Sequence, residues 1–151
     1  MTLPYYADTP LNLPTKARQE AIQGWGFNCT CNLCTEPELS ETSDRNRQEI
    51  QNLVRDMAKV ENRNRDAMRV ITDQLVALME TEELTAMMGD LYGMLAVAYS
   101  KLNHLEEALK YSTLAVENQV RFRGKHHAKA DEMRTLLSMV RGAIRKAESE
   151  P

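Results

Sequence analysis

The chain has 151 residues, of which 42% are hydrophobic and 27% are charged, and this is the composition of a soluble globular protein. Its net charge of -3 excludes a bulk electrostatic attraction to nucleic acid or to anionic membranes. No apolar run approaches the roughly 18 to 20 residues that a membrane-spanning helix needs. Only 5% of the residues are aromatic while nine are methionine, a mixture that favours packed helices over a β-sheet.

The beginning of the chain is rich in proline. Three prolines lie within residues 1–14, so this segment cannot be helical throughout. Residues 2–6 have strand-forming side chains, but the proline among them confines a strand to its end or to a sheet edge. The segment lacks the basic start and apolar centre of a secretory signal. A short helix is predicted to follow, with Thr15 as its N-cap and Gly24 at its end.

All three cysteines of the chain fall within six positions, at Cys29, Cys31 and Cys34. An odd and clustered set is a poor disulfide framework and a better metal site, and it indicates a reducing, intracellular location, in the nucleus or the cytoplasm. The C-x-C-x2-C spacing places three thiolates on a tight, non-helical turn within reach of one small cation. Because structural zinc prefers four tetrahedral ligands with thiolates strongly favoured, we predict a zinc site with three ligands present and a fourth missing.

Several interpretations of the incomplete site remain open. The fourth ligand is expected to lie in sequence before Met1. A histidine is an alternative if the fold brings one back, and the candidates are His104, His126 and His127. An iron–sulfur site is a further alternative, although such sites usually need four cysteines. The last alternative is three structural thiols that hold no metal.

The rest of the chain is predicted to be a helical domain over residues 45–148. Residues 35–44 are polar and acidic and are predicted to be a linker. From Arg45 onward there is neither proline nor glycine until Gly89, and the apolar residues recur at helical spacing. A last amphipathic helix is predicted over residues 128–147. The predicted breaks between helices fall at residues 62–65, Thr81, Asn103 and Gly124.

Residues 92–120 resemble a tetratricopeptide repeat, a two-helix unit with a period of about 34 residues. The positions that match the family pattern are Tyr92, Leu95, Ala96, Tyr99, Ala108 and Ala115. Val120 replaces the proline that usually closes the repeat. Because a lone repeat cannot bury its own faces, the flanking helices are expected to complete an array of antiparallel helical hairpins. Two interpretations of the helix pair remain open, namely plain helical core and a groove that binds a protein partner.

The segment that carries the cysteines also resembles a known motif. Residues 25–34 read Trp-Gly-Phe-Asn-Cys-Thr-Cys-Asn-Leu-Cys and resemble the post-SET motif of SET-domain protein lysine methyltransferases. Residues 2–5 resemble the last strand of the SET domain, where Tyr5 matches the active-site tyrosine and Tyr6 is the competing register. Downstream, the helical domain and its Gly-Lys-His turn at residues 124–126 look like the tail of SMYD-type and fungal SET proteins.

This resemblance implies methyl transfer from S-adenosylmethionine to a lysine of a protein substrate. It implies Tyr5 as the catalytic tyrosine and Phe27 as the aromatic that packs against the cofactor's adenine. It also implies a structural zinc ion on the three cysteines, with the fourth ligand a cysteine of the SET core. We therefore expect residues 1–14 to be the end of a SET domain and residues 15–38 the connecting helix and post-SET segment. Because the glycine-rich cofactor loop and the Asn-His-Ser-Cys segment are absent, the chain alone is expected to be inactive.

The sequence is also compatible with two other functions. The first is a stand-alone tetratricopeptide-like interaction module without enzymatic activity, in which the zinc knuckle is a remnant. The second is nucleic-acid binding through a basic run composed of Arg121, Arg123, Lys125, His126, His127 and Lys129. That run lacks interleaved stacking aromatics beyond Phe122, and a solvated helix end explains it better. The expected partner is a lysine-bearing protein substrate or a protein held in the helical groove, with no nucleic acid and no membrane.

Overall fold

The structure is a computed structural model that describes residues 13–59 and 64–150. Over these residues the regular structure is helical and contains no strand, which confirms the predicted mainly helical fold with a cysteine segment ahead of the helical array. The helices are α1 (Thr15–Gln23), α2 (Asn32–Thr35), α3 (Pro37–Met57), α4 (Arg65–Thr81), α5 (Met88–Lys101), α6 (Leu105–Arg123) and α7 (Ala128–Ser149), with a 3₁₀ turn at Thr85–Met87. Within the same residues, no helix combines the length and the apolar character that crossing a membrane requires. The predicted strand at residues 2–5 lies outside the described residues.

Helices α5 and α6 form an antiparallel hairpin. The start of α5 lies against the end of α6, where the Gly89 N–H donates to Asn118 Oδ1 at 2.8 Å and Gln119 Nε2 donates to Asp90 Oδ1 at 2.9 Å. A Cβ atom on Gly89 would lie only 2.8 Å from that Asn118 oxygen, so glycine leaves room for the polar side chains of α6 to bond to the start of α5. Asn103 has a φ of 58° and turns the chain between the helices, as its position predicts.

Helix α7 completes the array by packing against α6 and α5. Gly93 of α5 admits the Met133 side chain of α7, because a Cβ there would lie 2.7 Å from the sulfur. Gly124 has a φ of 98° and ends α6 where predicted. His127 then caps α7 by accepting a hydrogen bond from the Lys129 N–H at 3.1 Å on Nδ1. The predicted last helix is thus confirmed and runs to Ser149.

One apolar core joins α3, α4, α5 and α6, and Val140 attaches α7 to it. Leu75 and Leu95 have no exposed surface. The Tyr99 hydroxyl is also buried, and its hydrogen bond to the Thr72 hydroxyl at 3.0 Å satisfies the polar tip inside the core. Ile22 of α1 is buried but does not belong to this cluster. The cysteine segment therefore lies at the periphery of the core.

The predicted linker over residues 35–44 is wrong, because α3 begins at Pro37. Proline suits the first turn of a helix, where its missing N–H leaves no bond unmade. Of the polar side chains that suggested a linker, Ser43 is buried and donates a hydrogen bond to Glu82. Arg47, just beyond that segment, is also buried and donates to the same carboxylate, with Arg47 Nε 3.0 Å from Glu82 Oε2. When polar side chains are buried in hydrogen-bonded pairs, a helix can have the same composition as an exposed linker.

Helix α1 departs from prediction at both ends. Thr15 is its first residue rather than its N-cap, which is Pro14. Asp44 of α3 accepts hydrogen bonds from the Thr15 N–H at 2.7 Å and from its hydroxyl at 2.9 Å, so an acceptor distant in sequence replaces a local cap. The helix ends before Gly24 as predicted, but Gly24 keeps a φ of -58° and the left-handed residue is Gly26, with a φ of 79°.

The remaining predicted breaks fall as expected where the structure describes them. Helix α4 ends at Thr81, and Glu83 adopts a φ of 54° before the 3₁₀ turn. Of the predicted corner at residues 62–65, Asn64 caps α4 by accepting from the Ala67 N–H at 2.8 Å, and Arg65 is the first helical residue. Residues 60–63 are not among those described.

Candidate metal centre

The three predicted metal ligands lie together. The sulfur atoms of Cys29, Cys31 and Cys34 all lie within 4.8 Å of one another. Cys31 is the N-cap of α2, and its carbonyl accepts from the N–H groups of Cys34 at 2.8 Å and Thr35 at 3.1 Å. The turn differs from the predicted non-helical one, because Cys34 lies in a single helical turn.

Gln19 of α1 holds the first cysteine in place. Its side-chain Nε2 donates to the Cys29 carbonyl at 2.9 Å, and its Oε1 accepts from the Cys29 N–H at 3.0 Å. This paired hydrogen bond requires the chain to reverse after α1, which the left-handed Gly26 allows. Sequence reasoning missed Gln19, because a glutamine on a short helix carries no local signal that it bonds a backbone ten residues away.

The thiols influence one another's ionisation. A hydrogen bond with the Cys29 thiol lowers the pKa of Cys31 below its ordinary value, although partial burial opposes this. Burial raises the pKa of Cys34, and its hydrogen bond with Cys31 adds to the rise, whereas a hydrogen bond from Arg18 opposes it. Cys31 therefore ionises at a lower pH than Cys34. Arg18 is itself buried and donates to the Leu13 carbonyl at 2.7 Å, so its guanidinium is fixed beside the cysteines.

The donor set fits zinc, with one position unfilled. Three thiolates this close are ligands of the type and number that a structural zinc site uses, and tetrahedral zinc takes a fourth. Within residues 13–59 and 64–150, no further cysteine, histidine or carboxylate joins the group, so none of the three histidines completes it. Cys31 is exposed and the other two cysteines are half-buried, which leaves the cluster accessible to a ligand from elsewhere.

Large aromatic side chains are exposed beside the cysteines. Phe27, predicted to contact the cofactor, is 46% exposed, and so is Trp25 two residues before it. Leu39 at the start of α3 is 48% exposed. Large apolar side chains that are exposed close together in sequence are compatible with a face that another molecule or domain covers. Tyr5, the predicted catalytic residue, lies outside the described residues.

Comparison of the chain with protein-family models, with curated proteins and with solved structures finds no match. The likeness to the SET family therefore rests on the motif residues themselves. The structure shows that the three sulfurs cluster and that Phe27 is exposed.

Proposed function

We propose that the chain is the C-terminal part of an S-adenosylmethionine-dependent protein lysine methyltransferase of the SET class. The observation that carries the proposal is the group of three sulfurs within 4.8 Å of one another, which supplies three of the four ligands of a tetrahedral zinc site. In the family, the fourth ligand is a cysteine of the SET core. A site short of that ligand alone is what the C-terminal part of such an enzyme would carry.

The zinc ion would be structural. Once four sulfurs surround it, no position is open for chemistry, and the ion serves to pin the cysteine segment against the SET core. The exposed Phe27 would be covered in the same step, because it lies two residues before the first ligand. Its ring would then pack against the adenine of the cofactor, as the resemblance implies.

The reaction places clear demands on the protein. S-adenosylmethionine supplies an electrophilic methyl group on a sulfonium. The lysine amine must arrive neutral, in line with that methyl group and shielded from water. Tyr5 would orient the amine through its hydroxyl. The helical domain from α3 to α7 would serve as the tail that binds the substrate or a partner.

The metal is tested on the purified chain by titration with zinc and with cobalt in the presence of a competing chelator. We expect one metal per chain and a cobalt absorption spectrum of a tetrahedral thiolate site. A Cys31→Ser variant is expected to lose most of the affinity, while Ser138→Cys, which adds a thiol on the exposed face of α7, is expected to leave the stoichiometry at one. A chain that binds no zinc at all would contradict the metal site.

The assignment to a methyltransferase has a separate test. Sequencing the transcript upstream of the Met1 codon is expected to show an in-frame glycine-rich loop and an Asn-His-Ser-Cys segment. The chain by itself is expected to show no methyl transfer with S-adenosylmethionine and a protein substrate. A stop codon just upstream of Met1 would refute the enzyme while leaving the metal site standing, and the interaction module would then be the better description.

A further inference from the structure

A continuous groove runs between α4 and α6 across one face of α5. It consists of three adjoining cavities of about 390, 320 and 500 Å³. The first two cavities share the lining residues Asp73, Lys110 and Tyr111. The second and third share Glu80, Tyr92 and Leu114.

The floor of the groove is aromatic and rigid. The Tyr99 and Tyr111 rings stack with their centroids 5.6 Å apart and their planes at 10°, and Tyr92 stacks on Tyr111 at 6.0 Å. The hydrogen bond of Tyr99 to Thr72 fixes this stack to α4. The faces of aromatic rings carry partial negative charge and attract cations.

The α4 wall of the groove carries more carboxylates than arginines, three against two. Asp66, Asp73 and Glu80 are seven residues apart and thus recur on one side of the helix about every 10.5 Å. All three are exposed, and within the part of the chain that the structure describes none of them forms an ion pair. Burial is the main cause of the raised pKa of Tyr111, and the negative charge of Asp73 adds to the rise. The electrostatic field of the Asp73 carboxylate therefore reaches the floor of the groove.

The cations in the groove do not cancel these carboxylates. Four carboxylates face three cations in the first cavity, and two face one in each of the others. Arg65 is already bonded to Glu107. The Lys110 ammonium lies over the Tyr111 ring, 5.0 Å from its centroid. The groove thus already holds one lysine ammonium on its aromatic floor.

We propose that this groove binds an extended peptide segment of a partner protein that carries several lysine or arginine side chains. Unpaired carboxylates along one wall would pair with the cations, and Tyr92, the half-buried end of the tyrosine stack, would contact their aliphatic stems. An acidic segment would meet an excess of like charge in all three cavities. The inference does not depend on the metal site, since no cysteine lines the groove.

The test uses the full chain and fluorescently labelled peptides of about ten residues, because roughly six extended residues span the 21 Å or so from Asp66 to Glu80. One peptide has lysine at every third position, and its match has glutamate there. We expect the lysine peptide alone to bind, with an affinity that falls as salt is raised. Equal binding of the glutamate peptide, or no binding of either, would overturn the proposal.

A pair of double variants locates the binding. Asp73→Asn with Glu80→Gln is expected to weaken the lysine peptide about fivefold to thirtyfold, since each exposed ion pair contributes modestly. The control is Glu41→Gln with Glu148→Gln, which changes the net charge equally at exposed positions outside the groove. Unchanged circular dichroism spectra and melting temperatures show that both variants fold. If the control weakens binding as much as the groove variant does, the attraction is one of net charge and the groove is not the site.

Discussion

The cysteine segment and the α5–α6 hairpin are held together by different means. In the hairpin, Leu95, Ala96, Ala108 and Ala115 have no exposed surface. In the cysteine segment, no residue from 23 to 42 is buried. Apolar burial is the main source of stability of the hairpin. The cysteine segment depends on a few hydrogen bonds and, under the proposed function, on a zinc ion bound by its three sulfurs. Different perturbations should therefore unfold the hairpin and the cysteine segment.

The largest expected effect is on the hairpin core. Leu95→Ala removes a fully buried side chain of the apolar core, and we expect a loss of about 2 to 5 kcal/mol in the free energy of unfolding. Urea unfolding followed by circular dichroism measures it. The matched control is Val97→Ala on the same helix, where the side chain is 41% exposed and the change should stay within about 0.5 kcal/mol. Equal losses for the two variants would contradict the packing described for α5.

The next effect concerns the attachment of α3 to the end of α4, in the part of the fold between the two regions. Glu82 is the only carboxylate, among the described residues, that is ion-paired with the buried Arg47. Glu82→Gln leaves that guanidinium without a compensating charge, and we expect a loss of about 3 kcal/mol. The control is Glu83→Gln, one residue along and exposed, which should change stability little. A neutral result for Glu82→Gln would show that water replaces the pairing and that α3 is less firmly attached than its burial indicates.

The sequence predicts the hairpin region much better than the cysteine segment. Apolar residues at helical spacing and the turn residues Asn103 and Gly124 are local signals, and each helix of the hairpin ends where they indicate. The first part of α3 is not predicted, because the burial of Ser43 depends on its hydrogen bond to Glu82, which is 39 residues away. The clustering of the three cysteines follows from their spacing, whereas the paired hydrogen bond between Gln19 and Cys29 depends on a reversal of the chain after α1. The role of Tyr5 stays a prediction.

A smaller effect is expected from loss of the paired hydrogen bond between Gln19 and Cys29. Gln19→Ala removes both hydrogen bonds to the Cys29 backbone, so the first ligand must be ordered when zinc binds, and we expect about tenfold weaker zinc binding. Trp25 is the only tryptophan of the chain and lies in this segment, so its fluorescence follows metal binding here. The melting temperature of the helices should not change. Gln23→Ala, at the exposed end of the same helix, is the control. If wild-type and Gln19→Ala chains bind zinc equally, the hydrogen bonds of Gln19 do not position Cys29 for the metal.

The smallest expected effect is electrostatic and returns to the hairpin. Burial acts to raise the pKa of Glu107, but the hydrogen bond and charge of Arg65 lower it below its ordinary value of 4.5. A carboxyl whose pKa is lower in the folded state stabilises the protein above its unfolded pKa, and this contribution is lost as the pH falls through the folded pKa.

The difference in stability between the wild-type chain and Glu107→Gln should therefore favour the wild type at about pH 7 and shrink towards about pH 3. Urea unfolding at a series of pH values measures it. Glu106→Gln is the matched control, because the Glu106 side chain is 94% exposed and lies 3.9 Å from the same Arg65 nitrogen. If both variants show the same pH dependence, the contact with Arg65 adds only a diffuse field. The hairpin would then owe its stability to apolar burial and to the hydrogen bonds between α5 and α6 rather than to this ion pair, which would sharpen its contrast with the cysteine segment.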